Sequence, residues 1–158
     1  MSENSTISKV IPIKIQKLVP EAYLPVYSTQ HAACFDLFSA NKNPQTLRPG
    51  STVVIDTGLA FEIPEGHVML IFSRSGHGFK NNIRLSNAVG VIDADYRGAV
   101  KVKLAADDMG DWNAGLCVEY GDRIAQGMVI PFPEVSFILT EELSSTERGA
   151  GGFGSTGK

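Results

Sequence analysis

Val100-Lys101-Val102-Lys103-Leu104 alternates strictly, three apolar residues pointing one way and two lysines the other. That period of two belongs to a half-buried β-strand and to no helix. Working outward, Thr52-Val53-Val54-Ile55-Asp56 follows the turn Arg48-Pro49-Gly50, and Thr57 to Ile63 reads as its continuation. Pro64-Glu65-Gly66 is a turn, and Val68 to Phe72 is a continuous apolar run suited to a buried strand. Val10 to Ile15 reads as an edge strand, since Pro12 is tolerable only where no ladder bond is needed. Arg123 to Ile130, stopped by Pro131 and Pro133, is a further strand. Only two short helices are expected, around Gly76–Asn81 and Glu141–Ser145. Many short strands with turn residues between them predict an all-β barrel or jelly roll.

Composition narrows the function. A chain of 158 residues suits one domain, and its 43% hydrophobic content is enough for a sizeable core. No apolar run approaches the ~18 residues of a membrane helix, and Met1–Ser8 has no apolar signal core. The expected setting is therefore cytoplasmic, with no membrane partner. A net charge of −3 argues against a broad nucleic-acid surface, yet leaves room for a small anion held by a few aimed arginines. Cys34 and Cys117 read as reduced thiols.

Four stretches carry candidate chemistry. Ser73-Arg74-Ser75-Gly76, at a strand end, can offer a guanidinium, a hydroxyl and free N–H groups to a phosphate. Asn87 to Gly98 reads as a β-hairpin bracketed by Gly90 and Gly98, with Asp93, Asp95 and Tyr96 near its tip. Its exposed main chain can read a nucleobase edge, and an aspartate there can serve as a general base. Asp93 and Asp95 are spaced i, i+2, which would also suit a metal. Gly121-Asp122-Arg123-Ile124-Ala125-Gln126 adds a turn and a strand carrying Gln126. The fourth stretch is the end of the chain, where five of the last ten residues are Gly, around a lone Arg148 and a lone Phe153. Such a segment cannot bury enough surface to offset its ordering entropy, although its glycines can form an anion nest. It divides the chain into a domain over 1–143 and a tail over 144–158. Other chemistries find little support: His31, His67 and His77 lack zinc-ligand spacing, and neither a nucleophile elbow nor a dinucleotide fingerprint is present.

Taken in order, these segments resemble the trimeric dUTP pyrophosphatases (dUTPases). Ala33-Cys34-Phe35-Asp36-Leu37 is similar to the first family motif, and Arg74-Ser75-Gly76 is the heart of the second. Gly90 to Gly98 resembles the third, Gly121 to Gln126 the fourth, and Arg148 to Gly157 the fifth. Any one of them is weak; five in family order, spanning Ala33 to Gly157, are specific.

The resemblance implies a distorted jelly-roll β-barrel, a homotrimer with shared sites, and hydrolysis of dUTP to dUMP and pyrophosphate with Mg²⁺. Asp93 would be the catalytic base. Asn87 and the main chain of Val91 and Ile92 would read uracil, with the Tyr96 ring against deoxyribose. Arg74, Ser75, Gly76 and Gln126 would hold the phosphates, Lys101 would add a contact, and Asp36 would reach the metal through water. From the tail, Arg148 would clamp the γ-phosphate, Phe153 cover the base and Gly154 give a backbone contact. His77 stands where the family more often has Leu, and Ala99 where Glu or Gln is common. A dCTP deaminase on a related fold is the first alternative, but it would need a glutamate base where this chain offers Asp93 and Ala99. The second is a non-enzymatic regulator using the loop around Trp112.

Overall fold

The computed structural model describes residues 10–107 and 115–152. The strands in chain order are β1 (Lys14–Lys17), β2 (Phe35–Phe38), β3 (Gln45–Leu47), β4 (Thr52–Asp56), β5 (Leu59–Glu62) and β6 (His67–Phe72). After the one helix, α1 (Ser75–Asn81), come β7 (Ile83–Leu85), β8 (Gly90–Ile92), β9 (Lys101–Ala106), β10 (Leu116–Val118) and β11 (Arg123–Pro131). All pairings are antiparallel, in the orders β2-β11-β6-β8, β4-β9-β7, β1-β5 and β10-β3. The described residues are thus all-β with one short helix, and no described helix is long and apolar enough to cross a membrane.

The strict alternation of β9 has the expected cause. Val100, Val102 and Leu104 are buried and Lys101 and Lys103 exposed, with β4 on one side and β7 on the other. Leu37, Leu47, Ile55, Leu59, Met69, Ile83, Leu85 and Ile124 close the same core from the other strands. Cys34 and Cys117 are free thiols.

Four expectations need correction. The first strand begins at Lys14, beyond Pro12, and pairs with β5. Thr52 to Ile63 is two strands in different sheets, because Gly58 turns the chain with φ +66. Thr57 fixes that break: its Oγ1 donates to Val100 O at 2.7 Å, and Val100 N donates to Leu59 O at 2.9 Å. The run Val68–Phe72 alternates in burial, with Met69 and Ile71 inside. Glu141–Ser145 is not helical: Leu143 is 83% exposed and gives such a helix no apolar face to dock.

A Cβ at Gly58 would lie 2.7 Å from Val19 Cγ2 and 2.9 Å from Ala22 Cβ. Gly66 also has positive φ, +73, with open space around it. Gly58→Ala is therefore expected to cost roughly 3 kcal/mol, strain and overpacking together, and Gly66→Ala about 1 kcal/mol. Urea unfolding midpoints of the two variants check this; equal shifts would show that packing at Gly58 does not matter.

Candidate active site

Asp36 sits on β2, whose N–H donates to Val26 O at 2.8 Å. Its Oδ2 accepts from Ser28 Oγ at 2.6 Å and from Arg123 Nη1 at 3.3 Å, and its Oδ1 accepts from Arg74 Nε at 3.3 Å. Arg74 Nη1 also donates to Arg123 O at 3.1 Å. Burial pushes the Asp36 carboxyl up, but the Ser28 hydroxyl and the guanidiniums of Arg74 and Arg123 outweigh it and hold the group below its ordinary value. Gln126 Nε2 donates to Ser73 O at 3.0 Å, so β11 fixes the chain just before Arg74. Ser75 and Gly76 follow at the exposed start of α1, with open space beside Gly76. Asp36, Arg74, Gln126, Ser75 and Gly76 are therefore brought to one region by β2, β11 and the end of β6.

His77 closes that region from α1, beside a cavity of about 270 Å³ that Arg74, Asp122 and Arg123 also line. Burial, and then the charge of Arg74, lower its pKa against a weaker opposing pull from Asp122. Its buried Nδ1 has no hydrogen-bond partner.

The second group of predicted residues lies along a cleft between β8 and β9. Gly90, Val91 and Ile92 pair with Ile71, Leu70 and Met69 of β6. The expected hairpin is absent as such: the arms on either side of Asp93 do not pair with each other, because β8 takes β6 as its partner. A hollow of about 360 Å³ is bounded by Asn87, Val91, Ile92 and Lys101. An adjoining one of about 500 Å³ is bounded by Val91, Ile92, Asp93, Tyr96 and Lys101. Lys101 Nζ is 3.6 Å from Asp56 Oδ2, an exposed pair. Ala88, beside Asn87, holds φ +61, a conformation that costs a non-glycine residue energy and tends to persist where function needs it.

Ser73 joins the two groups. Its Oγ accepts from Leu85 N at 2.8 Å, two residues before Asn87. Arg148 stands apart, its Nε donating to Gly151 O at 2.8 Å within the tail. Phe153, Gly154 and Trp112 lie outside the described residues. Among the described residues no three His, Cys, Asp or Glu side chains gather as a metal cage, and Asp93 with Asp95 finds no third partner.

A family model described as dUTPase matches residues 20–157. The chain belongs to the dUTPase family. A deoxyuridine 5'-triphosphate nucleotidohydrolase of Nautilia profundicola is 47% identical, over 92% of this chain and 99% of the relative. One of the same name from Bordetella avium is 40% identical over 95% and 99%. Among solved structures, a mutant Staphylococcus bacteriophage 80alpha dUTPase with dUpNHpp superposes with TM-score 0.83 at 29% identity, covering 94% of this chain and all of that one. A mutant dUTPase from phage phi11 of S. aureus, described with a structural Mg(II) ion, gives 0.74 at 25% identity over 84% and 98%.

Beside the roles read from sequence, the structure of this dUTPase-family chain shows Ser28, Arg97 and Arg123 as fasteners, and Ser73, first of a stretch already singled out, as another. Ser28 offered no signal, being one hydroxyl in a loop. Arg97 and Arg123 stand inside recognised motifs, but only the folded chain shows what they touch.

The lowered pKa of Asp36 has a definite linkage sign. Its stabilisation is complete above the ordinary value of 3.8 and is lost as pH falls through the lower folded value. Asp36→Asn is expected to cost roughly 3 kcal/mol at neutral pH, by leaving two partly buried guanidiniums without their anion. The gap to the wild type should narrow below about pH 3.5. Urea midpoints recorded from pH 7 to pH 2.5 test this, and a constant gap would remove the carboxylate as its source.

Proposed function

We propose that this chain hydrolyses dUTP to dUMP and pyrophosphate, with Asp93 as the base that activates water for attack on the α-phosphorus. The observation carrying this reading is that Asp93, Tyr96, Lys101 and the Val91–Ile92 main chain border one cleft. That cleft is joined through Ser73 to the region of Arg74 and Gln126. The family's name for its substrate, and the dUpNHpp in the similar phage dUTPase, support the same assignment.

Water is a weak nucleophile, and the charge of a triphosphate repels it. Asp93 Oδ takes the proton as the water oxygen bonds to the α-phosphorus, and the bond to the β-phosphate bridging oxygen breaks, releasing pyrophosphate. Arg74, Ser75, Gly76 and Gln126 hold the phosphate chain and stabilise the charge that develops on it. Asn87 and the backbone of Val91 and Ile92 pair with uracil. Cytosine would leave those groups unpaired, a stronger rejection than an apolar mismatch gives. The tail, residues 144–158, works as a clamp on the domain over 1–143: Arg148 on the γ-phosphate, Phe153 over the base, Gly154 through its backbone.

Mg²⁺ fits this donor set in one way. With no carboxylate cage among the described residues, the ion would be held by the substrate's phosphates and water, and the ionised Asp36 would reach it through water. When bound, the ion neutralises phosphate charge.

The assembly proposed is a homotrimer, with sites built from different subunits. Phe79, Phe137, Ile138 and Leu139 are 93%, 94%, 85% and 100% exposed, which a single chain in water tolerates poorly. In an intracellular setting the reaction would keep uracil out of DNA and supply dUMP for thymidylate synthesis.

Pyrophosphate release should be seen from dUTP, depend on Mg²⁺, and be near zero from dCTP, dTTP and UTP. Ammonia release from dCTP would favour a deaminase instead. Asp93→Asn is expected to bind dUTP almost unchanged and to turn over at least about 10²-fold more slowly. Near-normal turnover in that variant would remove Asp93 as the base. Refolding Asp93→Asn together with Arg148→Ala separates shared from single-chain sites. If the two residues of each site come from different chains, random trimers regain roughly a quarter of wild-type activity. No recovery in mixed trimers verified by mass would refute the sharing.

A further inference from the structure

Gly98 has no conformational need to be glycine. Unlike Gly58 or Gly66, its φ lies outside the left-handed region, so an alanine backbone would fit there. What stands in the way is a side chain. A Cβ at Gly98 would collide with Tyr96 Oη and fall 2.6 Å from Cζ and 3.0 Å from Cε2. The phenol ring therefore folds back over the bare Gly98 Cα. It is held there by its own hydroxyl, which donates to Ala99 O at 3.1 Å. On the main-chain side, Arg97 Nη1 donates to Ala94 O at 2.6 Å and to Tyr96 O at 3.1 Å, and Tyr96 N donates to Asp93 O at 3.2 Å. The backbone carrying the ring is thus pinned, and the seat beneath the ring is the one element that a single methyl group would remove. Tyr96 is 44% exposed and borders the same hollow as Asp93 and Lys101, so the ring position sets the shape of that wall.

We propose that Gly98 is a positioning residue for substrate selectivity: its missing side chain seats the Tyr96 ring as a fixed wall that admits deoxyribose and refuses a 2′-hydroxyl. This rests on the proposed hydrolysis of dUTP and assigns one specificity of that site to a residue that touches no substrate. The clash involves the far end of a side chain that can swing away. The fold should therefore survive Gly98→Ala while the ring leaves its seat. A ring without its seat loses the Ala99 bond and becomes a mobile wall, and a mobile wall discriminates poorly between sugars that differ by one oxygen.

The test compares kcat/KM for dUTP and UTP in the full chain with Mg²⁺, for wild type, Gly98→Ala, Tyr96→Ala and the double variant. Gly98→Ala should lower the dUTP-to-UTP ratio by roughly tenfold or more, with the pH profile of kcat unchanged. Adding Gly98→Ala to Tyr96→Ala should change the ratio by less than about twofold, because the residue acts only through the ring. A wild-type ratio retained in a folded Gly98→Ala protein would overturn the proposal, as would equal losses caused by Gly98→Ala with and without the Tyr96 ring. Should the single variant fail to fold, the double variant decides: folding restored by removing the ring supports the seat, and continued failure to fold refutes it. Failure of the underlying reading looks different, since a wild type that released no pyrophosphate from dUTP would refute it whatever Gly98 does.

Discussion

Asp36 is the point on which the site's geometry turns, because one carboxylate answers three donors that the chain delivers from far apart. Ser28 reaches it from a loop, Arg74 from the end of β6, and Arg123 from the start of β11. Two guanidiniums that close would repel each other; with Asp36 between them the cluster carries a net charge near +1. The arrangement also aims them, since a carboxylate-bound guanidinium loses the freedom to swing into solvent. Replacing the anion with a neutral group would leave the arginines crowded and poorly oriented, which costs stability and, on the proposed reading, phosphate binding.

Rigidity spreads from there along the backbone. Arg74 follows Ser73, whose carbonyl is held by Gln126 and whose hydroxyl accepts from Leu85. Leu85 is buried at the end of β7, and Asn87 lies two residues on. The arginine region and the cleft are therefore connected by three short covalent or hydrogen-bonded steps. The fold thus sets the spacing of the two groups within one subunit before anything binds, so less ordering of the protein is left to be done on binding.

The parts of the fold legible in the sequence are those governed by a local period. β9 was readable from five residues because one of its faces is core and the other solvent. β3, β7 and β10 have three residues each, too few to show any period. The division between β4 and β5 was hidden because Thr57 and Gly58 look like ordinary strand residues until Val100, 43 positions away, supplies the partner. The site divides in the same way. Arg74, Asp93 and Gln126 announce themselves by residue type within recognisable motifs. That Asp36 is shared between arginines 38 and 87 residues distant is a property of the folded chain, written in no local pattern.

Asp93, the base of the proposed mechanism, raises a separate problem, for it lies on an exposed turn, where a side chain would ordinarily wander. The turn counters this from within. Tyr96 N closes it onto Asp93 O, Arg97 ties two of its carbonyls together, and the Tyr96 ring folds down over Gly98. β8 arrives from the sheet with its register fixed against β6, and β9 leaves with its register fixed against β4. The six residues from Asp93 to Gly98 are held at both ends and stapled across the middle. Exposure gives the carboxylate access to water, and the internal fasteners give it a position, the two things the proposed base needs; burial would give the second without the first, and a free loop the first without the second.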